Sequence, residues 1–220
     1  MLSQELPELL RLPVANAIEE SNTFIGGFQK DDSLEALAEE IRLQQERLSR
    51  NPTGHSDQLD ALRSLTLTCG AKFHRTRATE DLEEEIHYHS LALAASPPDH
   101  YVRRMSLLGL GKAFQKRFFL DNDDEKDVRY LEQSIKCCRD ALELCPRGQL
   151  SRFEPLQTLA VSLSVRSSVL FRKADLEESM ALFQSALDEE YGHPHARFDI
   201  ASQWAGCARA CRHPSTAIAY

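Results

Sequence analysis

Four stretches of the chain share one apolar phase: Leu37 to Ile41, Leu82 to Ile86, Leu131 to Ile135 and Leu176 to Met180. Each is followed, seven residues after its last apolar position, by a leucine: Leu48, Leu93, Leu142 and Leu187. The copies are separated by 45, 49 and 45 residues. Ala92, Ala141 and Ala186 precede three of these leucines, and Pro52, Pro97 and Pro146 stand four residues after the first three. A recurrence at this period constrains the fold more than any composition does. Each copy is one supersecondary unit that cannot bury its apolar face alone, so neighbours must share a core.

Apolar residues at i, i+4 and near i+11 carry one stripe along a helix, and a proline just past the end cannot continue it. This pattern predicts helices, here called B, near residues 34–50, 79–95, 127–145 and 174–190. A second pattern, A, lies between them at Leu65 to Cys69, Leu110 to Phe114, Leu159 to Leu163 and Ile200 to Trp204. Large residues lead it, with Thr66, Gly111 or Ala160 next in line, small enough for backbones to approach. Alternating A and B helices with short connections predict an all-α fold, an α-solenoid of antiparallel helix pairs with a repeat of about 45 residues. The array is expected over 24–220, with 1–23 an N-terminal segment acting as a helical cap and a degraded copy at Glu20 to Phe28. Asp121 to Asp127 is an acidic insertion, read as a solvated loop. Pro214 to Thr216 mark the start of a further helix, so the array is expected to end mid-repeat.

Composition narrows the function classes. Residues 1–16 lack the basic head and apolar centre of a signal peptide, and no run reaches the ~18 apolar residues of a membrane span, so a cytoplasmic location is expected. The six cysteines, at 69, 137, 138, 145, 207 and 211, show neither a CxxC pair nor a framework spacing, and reduced thiols are expected. A net charge of −8 argues against nucleic-acid binding, which needs clustered Lys and Arg.

The offsets also carry a resemblance. Ser134 or Ser179, then Ala141 or Ala186 seven residues on, with Pro146 five further in the first case, resembles the second helix of a tetratricopeptide repeat; Glu85 departs from that pattern. The longer period, with Leu110 to Phe118, Asp81 to Glu84, Asp175 to Glu178 and Ala141 to Pro146, is similar to the arrays that precede a caspase-like CHAT domain in many fungal proteins. The resemblance runs from about residue 24 onward, and Gly192 through Trp204 to Tyr220 resembles the end of such an array. It implies a repeat scaffold attached to a cysteine-peptidase-like domain, and that domain is not in this sequence.

Chemistry-bearing groups have plain readings in the repeat. His55, His100 and His193 recur between a B helix and the next A helix, a structural position. Cys69 falls at a core position of A, and Cys138 fills the place that Phe183 takes in the next copy. His87 reads as a surface and His89 as a core position. Cys207, Cys211 and His213 lack a second ligand pair at zinc spacing, so no metal is expected. Gly109 and Gly111 follow no strand, so no phosphate loop is expected. Neither an enzyme nor a cofactor is expected.

Charge separates the two helix classes. The A segments 56–76, 101–119 and 149–173 hold twelve Lys and Arg against three Asp and Glu, whereas the B segments 33–50, 77–95, 121–145 and 174–190 hold eight against 23. In tetratricopeptide folds A helices line the concave groove, so the resemblance implies a relatively basic groove that binds an acidic peptide or protein segment. The candidate groove residues are Arg63, Lys72, Arg104, Lys112 and Lys116. The competing use of such cations is ion pairing from A to B, with Arg104, Arg117 and Arg166 as its candidates. The expected function is a protein-interaction scaffold, the alternative being the regulatory or targeting array of a truncated or split CHAT-type peptidase. Self-association through an unfinished C-terminal face around Trp204 and Ala208 is a third expectation.

Overall fold

The structure, a computed structural model, describes residues 33–50, 56–120, 127–188 and 200–207, and every described regular element is helical. The chain divides into two compact units, residues 27–120 and residues 121–220 together with 1–26. The expected cap over 1–23, the copy at Glu20 to Phe28, most of the acidic insertion and the segment from Ala208 onward lie outside the described residues.

The first unit holds α1 (Leu34–Arg50), α2 (Ser56–Thr76), α3 (Thr79–Ala95) and α4 (Tyr101–Leu120). The B pattern forms α1 and α3, the A pattern α2 and α4, and each helix packs on the next in sequence. Lys116 reaches Glu85, Arg117 reaches Glu83, and Gly109 abuts His89, so later residues of α4 meet earlier ones of α3 and the two run antiparallel. Ile41, Leu62, Leu65, Cys69, Tyr88, Ala92 and Val102 form one buried cluster drawn from all four helices. Phe73, Leu82 and Ala113 form a second. Ser33 opens α1 as its N-cap, its hydroxyl accepting from the Ala36 N–H at 3.1 Å.

The second unit holds α5 (Val128–Glu143), a 3₁₀ turn (Leu150–Arg152), α6 (Phe153–Leu170) and α7 (Lys173–Asp188); residues 200–207 are helical as well. Consecutive helices pack here too, around Ile135, Cys138, Leu159 and Leu163. α5 starts one residue inside its expected range because Asp127 is its cap, accepting from the Arg129 N–H at 3.0 Å. The A segment read as 149–173 is shorter as a helix: it ends at Leu170, where Phe171 turns left-handed (φ 54°). α2 ends in the same way, at Arg77 (φ 55°). Both two-residue links, Arg77 with Ala78 and Phe171 with Arg172, therefore close on an identical αL step.

Candidate partner-binding surface

The cations of the A helices divide by what they touch. Lys72, at the end of α2, donates to the Asp81 carboxylate at 2.6 Å and lies 3.6 Å from Glu84. Arg166, at the same place in α6, makes a two-pronged contact with Asp175 at 2.8 Å for each prong. The two pairs span nine residues each and tie an A helix to the following B helix across the αL link. Arg117 stands in this register in α4, but the residue that would answer Asp81 and Asp175 is Tyr130. Its guanidinium reaches the preceding B helix instead, at Glu83, 3.0 Å away.

Lys116 is more enclosed than Lys72. Its ammonium donates to both Glu85 oxygens, at 3.1 and 3.2 Å, with only 11% of the lysine and 7% of the glutamate side chain exposed. It also lies 5.3 Å above the Phe73 ring, a cation–π contact with α2. Gly70 lies beside the carboxylate, where a Cβ would rest in contact with Glu85 Oε1 at 3.4 Å. Where the two later copies keep a small residue, Ser134 shares a hydrogen bond with Ser162 at 2.8 Å, and Ser179 donates to the Ala160 carbonyl at 2.7 Å. Glu85 is thus a departure from the pattern matched by a lysine on the next A helix.

Lys112 is half-buried and, with Lys116, stands near the His89 imidazole. Burial pulls the His89 pKa down to about 3, and the Lys116 and Lys112 ammoniums push it the same way. The ring sits on the α4 backbone: a Cβ at Gly109 would fall 2.1 Å from its Cε1. Gly109 thus serves packing, and His89 Nδ1 is sealed from solvent without a protein partner. His87 is exposed. Arg63 is exposed on α2 and Arg104 half-buried on α4; neither makes an ion pair among the described residues.

Electrostatics follow the same division. The Asp81 carboxyl is buried, which raises its pKa, yet hydrogen bonds from Lys72 and Thr76 hold it below the ordinary carboxylate value. The Asp175 hydrogen bonds raise the Arg166 pKa. Burial, reinforced by Glu84 and Glu85, pushes the Cys69 thiol up to about 12. Burial likewise lifts Cys137 to about 11, with Asp140 adding to it. Both stay thiols at neutral pH and are poor nucleophiles. His100 Nδ1 accepts from the Val102 N–H at 3.3 Å, at the start of α4. His55, His193, Cys211 and His213 lie outside the described residues.

One recurring contact has no counterpart in the sequence reading. Arg103 donates to the Leu93 carbonyl (3.4 Å), and Arg152 to the carbonyls of Leu142 (3.5 Å) and Cys145 (2.9 Å). Both arginines stand seven residues before the leading leucine of their A pattern, Leu110 or Leu159. They donate to carbonyls near the ends of the preceding helices, at Leu142 beside the Cys145 N–H that reaches the same oxygen at 3.1 Å. That shared offset was the available signal.

The A helices expose apolar and cationic side chains, and α2 exposes Asp57 and Asp60 as well. Tyr101 (50% exposed) and Met105 (48%) lie one turn apart on α4, with Arg104 between them, and α2 exposes Leu67 (39%) four residues from Arg63. α4 contains no Asp or Glu at all. Compared with known proteins, the chain matches no family model, no curated protein and no solved structure. No described helix is long and apolar enough to cross a membrane.

Proposed function

We propose that the chain is a protein-interaction scaffold, a tetratricopeptide-like solenoid that holds a carboxylate-bearing peptide or protein segment against its A helices. The observation that carries this reading is α4: twenty residues without a carboxylate, exposing Tyr101 and Met105 around Arg104. Tyrosine, methionine and arginine are the side chains enriched where protein surfaces meet. Support for the repeat comes from contacts that recur in register, Lys72 with Asp81 as Arg166 with Asp175, and Arg103 on Leu93 as Arg152 on Leu142.

Of the five candidate cations, Arg63 and Arg104 make the clean test. Reversing Lys116 would break a buried pair and confuse binding with folding. Labelled peptides rich in Leu and Glu, and counterparts carrying Lys for Glu, are titrated by fluorescence anisotropy. The wild type should select the carboxylate series. Arg63→Glu with Arg104→Glu, and separately Tyr101→Ser with Met105→Ser, should each weaken binding by about tenfold or more. Equal binding of the two series, or unchanged affinity in both variants, would remove the proposal.

A further inference from the structure

The ring of Phe171 is 79% exposed while its backbone sits at φ 54°, ψ 34°. A bulky side chain is held left-handed at a cost that glycine or asparagine would largely avoid. In the first unit the equivalent residue, Arg77, folds its guanidinium back over the Phe73 ring, 6.0 Å from its centre. Phe171 makes no comparable ring contact among the described residues, and a surface brought by a second copy would bury the ring.

α7 begins two residues later and exposes one continuous row: Ala174, Glu177, Ala181, Gln184 and Asp188. Steps of three and four residues are the seam along which two helices pack. The row's charge is also ordered. Lys173 is the one cation of α7 and Asp188 its last residue.

We propose that Phe171 and this row form an isologous contact with a second copy of the chain, the two α7 helices lying antiparallel about the step between Met180 and Ala181. In that register Lys173 of each copy comes level with the other copy's Asp188, so the favourable pair is made twice. Glu177 comes level with Gln184, and no carboxylate of the row faces another. Alanines at 174 and 181 let the helices approach, and Phe171 closes over the end of the other copy's α7. The present partners of these groups are solvent-exposed contacts that yield readily: Lys173 with Glu177 at 3.3 Å (side chains 72% and 64% exposed), and the Gln184 amide donating to Asp188 at 2.8 Å.

Sedimentation velocity of the full chain over a concentration series tests the contact. The wild type should pass from monomer to dimer as concentration rises. Phe171→Asn should weaken association by about tenfold or more without lowering the melting temperature, because asparagine accepts the left-handed step. Lys173→Glu and Asp188→Lys should each shift the species toward monomer, and the two together should restore the dimer. A wild type that stays monomeric throughout overturns the proposal. So does dimerisation of Phe171→Asn and Lys173→Glu at wild-type strength, or failure of the double reversal to recover the dimer while circular dichroism shows it folded.

Discussion

At the seventh residue after the leading leucine of each B helix, the chain places Gln44, His89, Cys138 and Phe183. The apolar occupants, Cys138 and Phe183, are completely buried. The polar ones are less fully covered, Gln44 buried and His89 half-buried, yet Gln44 Oε1 and His89 Nδ1 are both enclosed without a hydrogen-bond partner. His89 fits only because Gly109 has no side chain. Gly109→Ala should therefore destabilise by about 2 kcal/mol in urea denaturation, although alanine is the better helix former. Pairing it with His89→Ala should remove most of that loss; a penalty that persists unchanged would show the clash lies elsewhere. Acid tests the same residue. The folded-state pKa of about 3 lies below the ordinary 6.5, so the unfolded chain takes up the proton first. The stability His89 contributes is complete above pH 6.5 and is lost as pH falls from there toward 3. Between pH 7 and pH 5 the wild type should lose roughly 2 kcal/mol that His89→Leu does not. Parallel losses in the two proteins would refute this.

Between elements, polar groups do what apolar periodicity does not show. α6 is tied to the B helix before it by Arg152 on carbonyls near that helix's end and to the one after it by Arg166 on Asp175, whereas α2 shows the second tie, through Lys72, and α4 the first, through Arg103. The Glu85 and Lys116 pair is the most enclosed of such contacts in the first unit. Removing one partner strands a buried charge, so Lys116→Met should cost about 3 kcal/mol in equilibrium unfolding. Adding Glu85→Ser, the residue of the later copies, should return most of it. A Lys116→Met protein as stable as wild type would mean the pair is solvated. The helices themselves were legible because their apolar phase sets which face is inside; α1 and α3 occupy 34–50 and 79–95, the ranges the pattern marks. The pairs were not. A lysine on an A helix reads the same whether it faces solvent or a carboxylate. The fit of Glu85 depends on Lys116, on a helix its own periodicity does not contain. Of Arg104, Arg117 and Arg166, the last two alone reach carboxylates among the described residues.

Over the whole chain, a net charge of −8 conceals a division of labour. Cations sit mainly on one helix class and carboxylates on the other, and much of the opposition is spent inside each unit on Asp81, Glu83, Glu85 and Asp175. The centre of the second unit is α6, buried round its circumference from Thr158 to Val165. Native-state hydrogen exchange should find those amides among the slowest, well behind the solvent-facing ends of α1. Fast exchange there would contradict the packing. The expected solenoid was readable only as far as helices and their neighbours, because a repeat specifies its nearest contacts and leaves the curvature of an array to small rotations at each step.

The left-handed step shared by Arg77 and Phe171 bears on how such a chain can change. The turn is made by the backbone, and both an arginine and a phenylalanine occupy it, so the side chain there is released from the task of folding. Substitution at this corner alters what the molecule shows to its surroundings while the helices on either side keep their places. A family of variants could thus diversify in recognition at little expense in architecture.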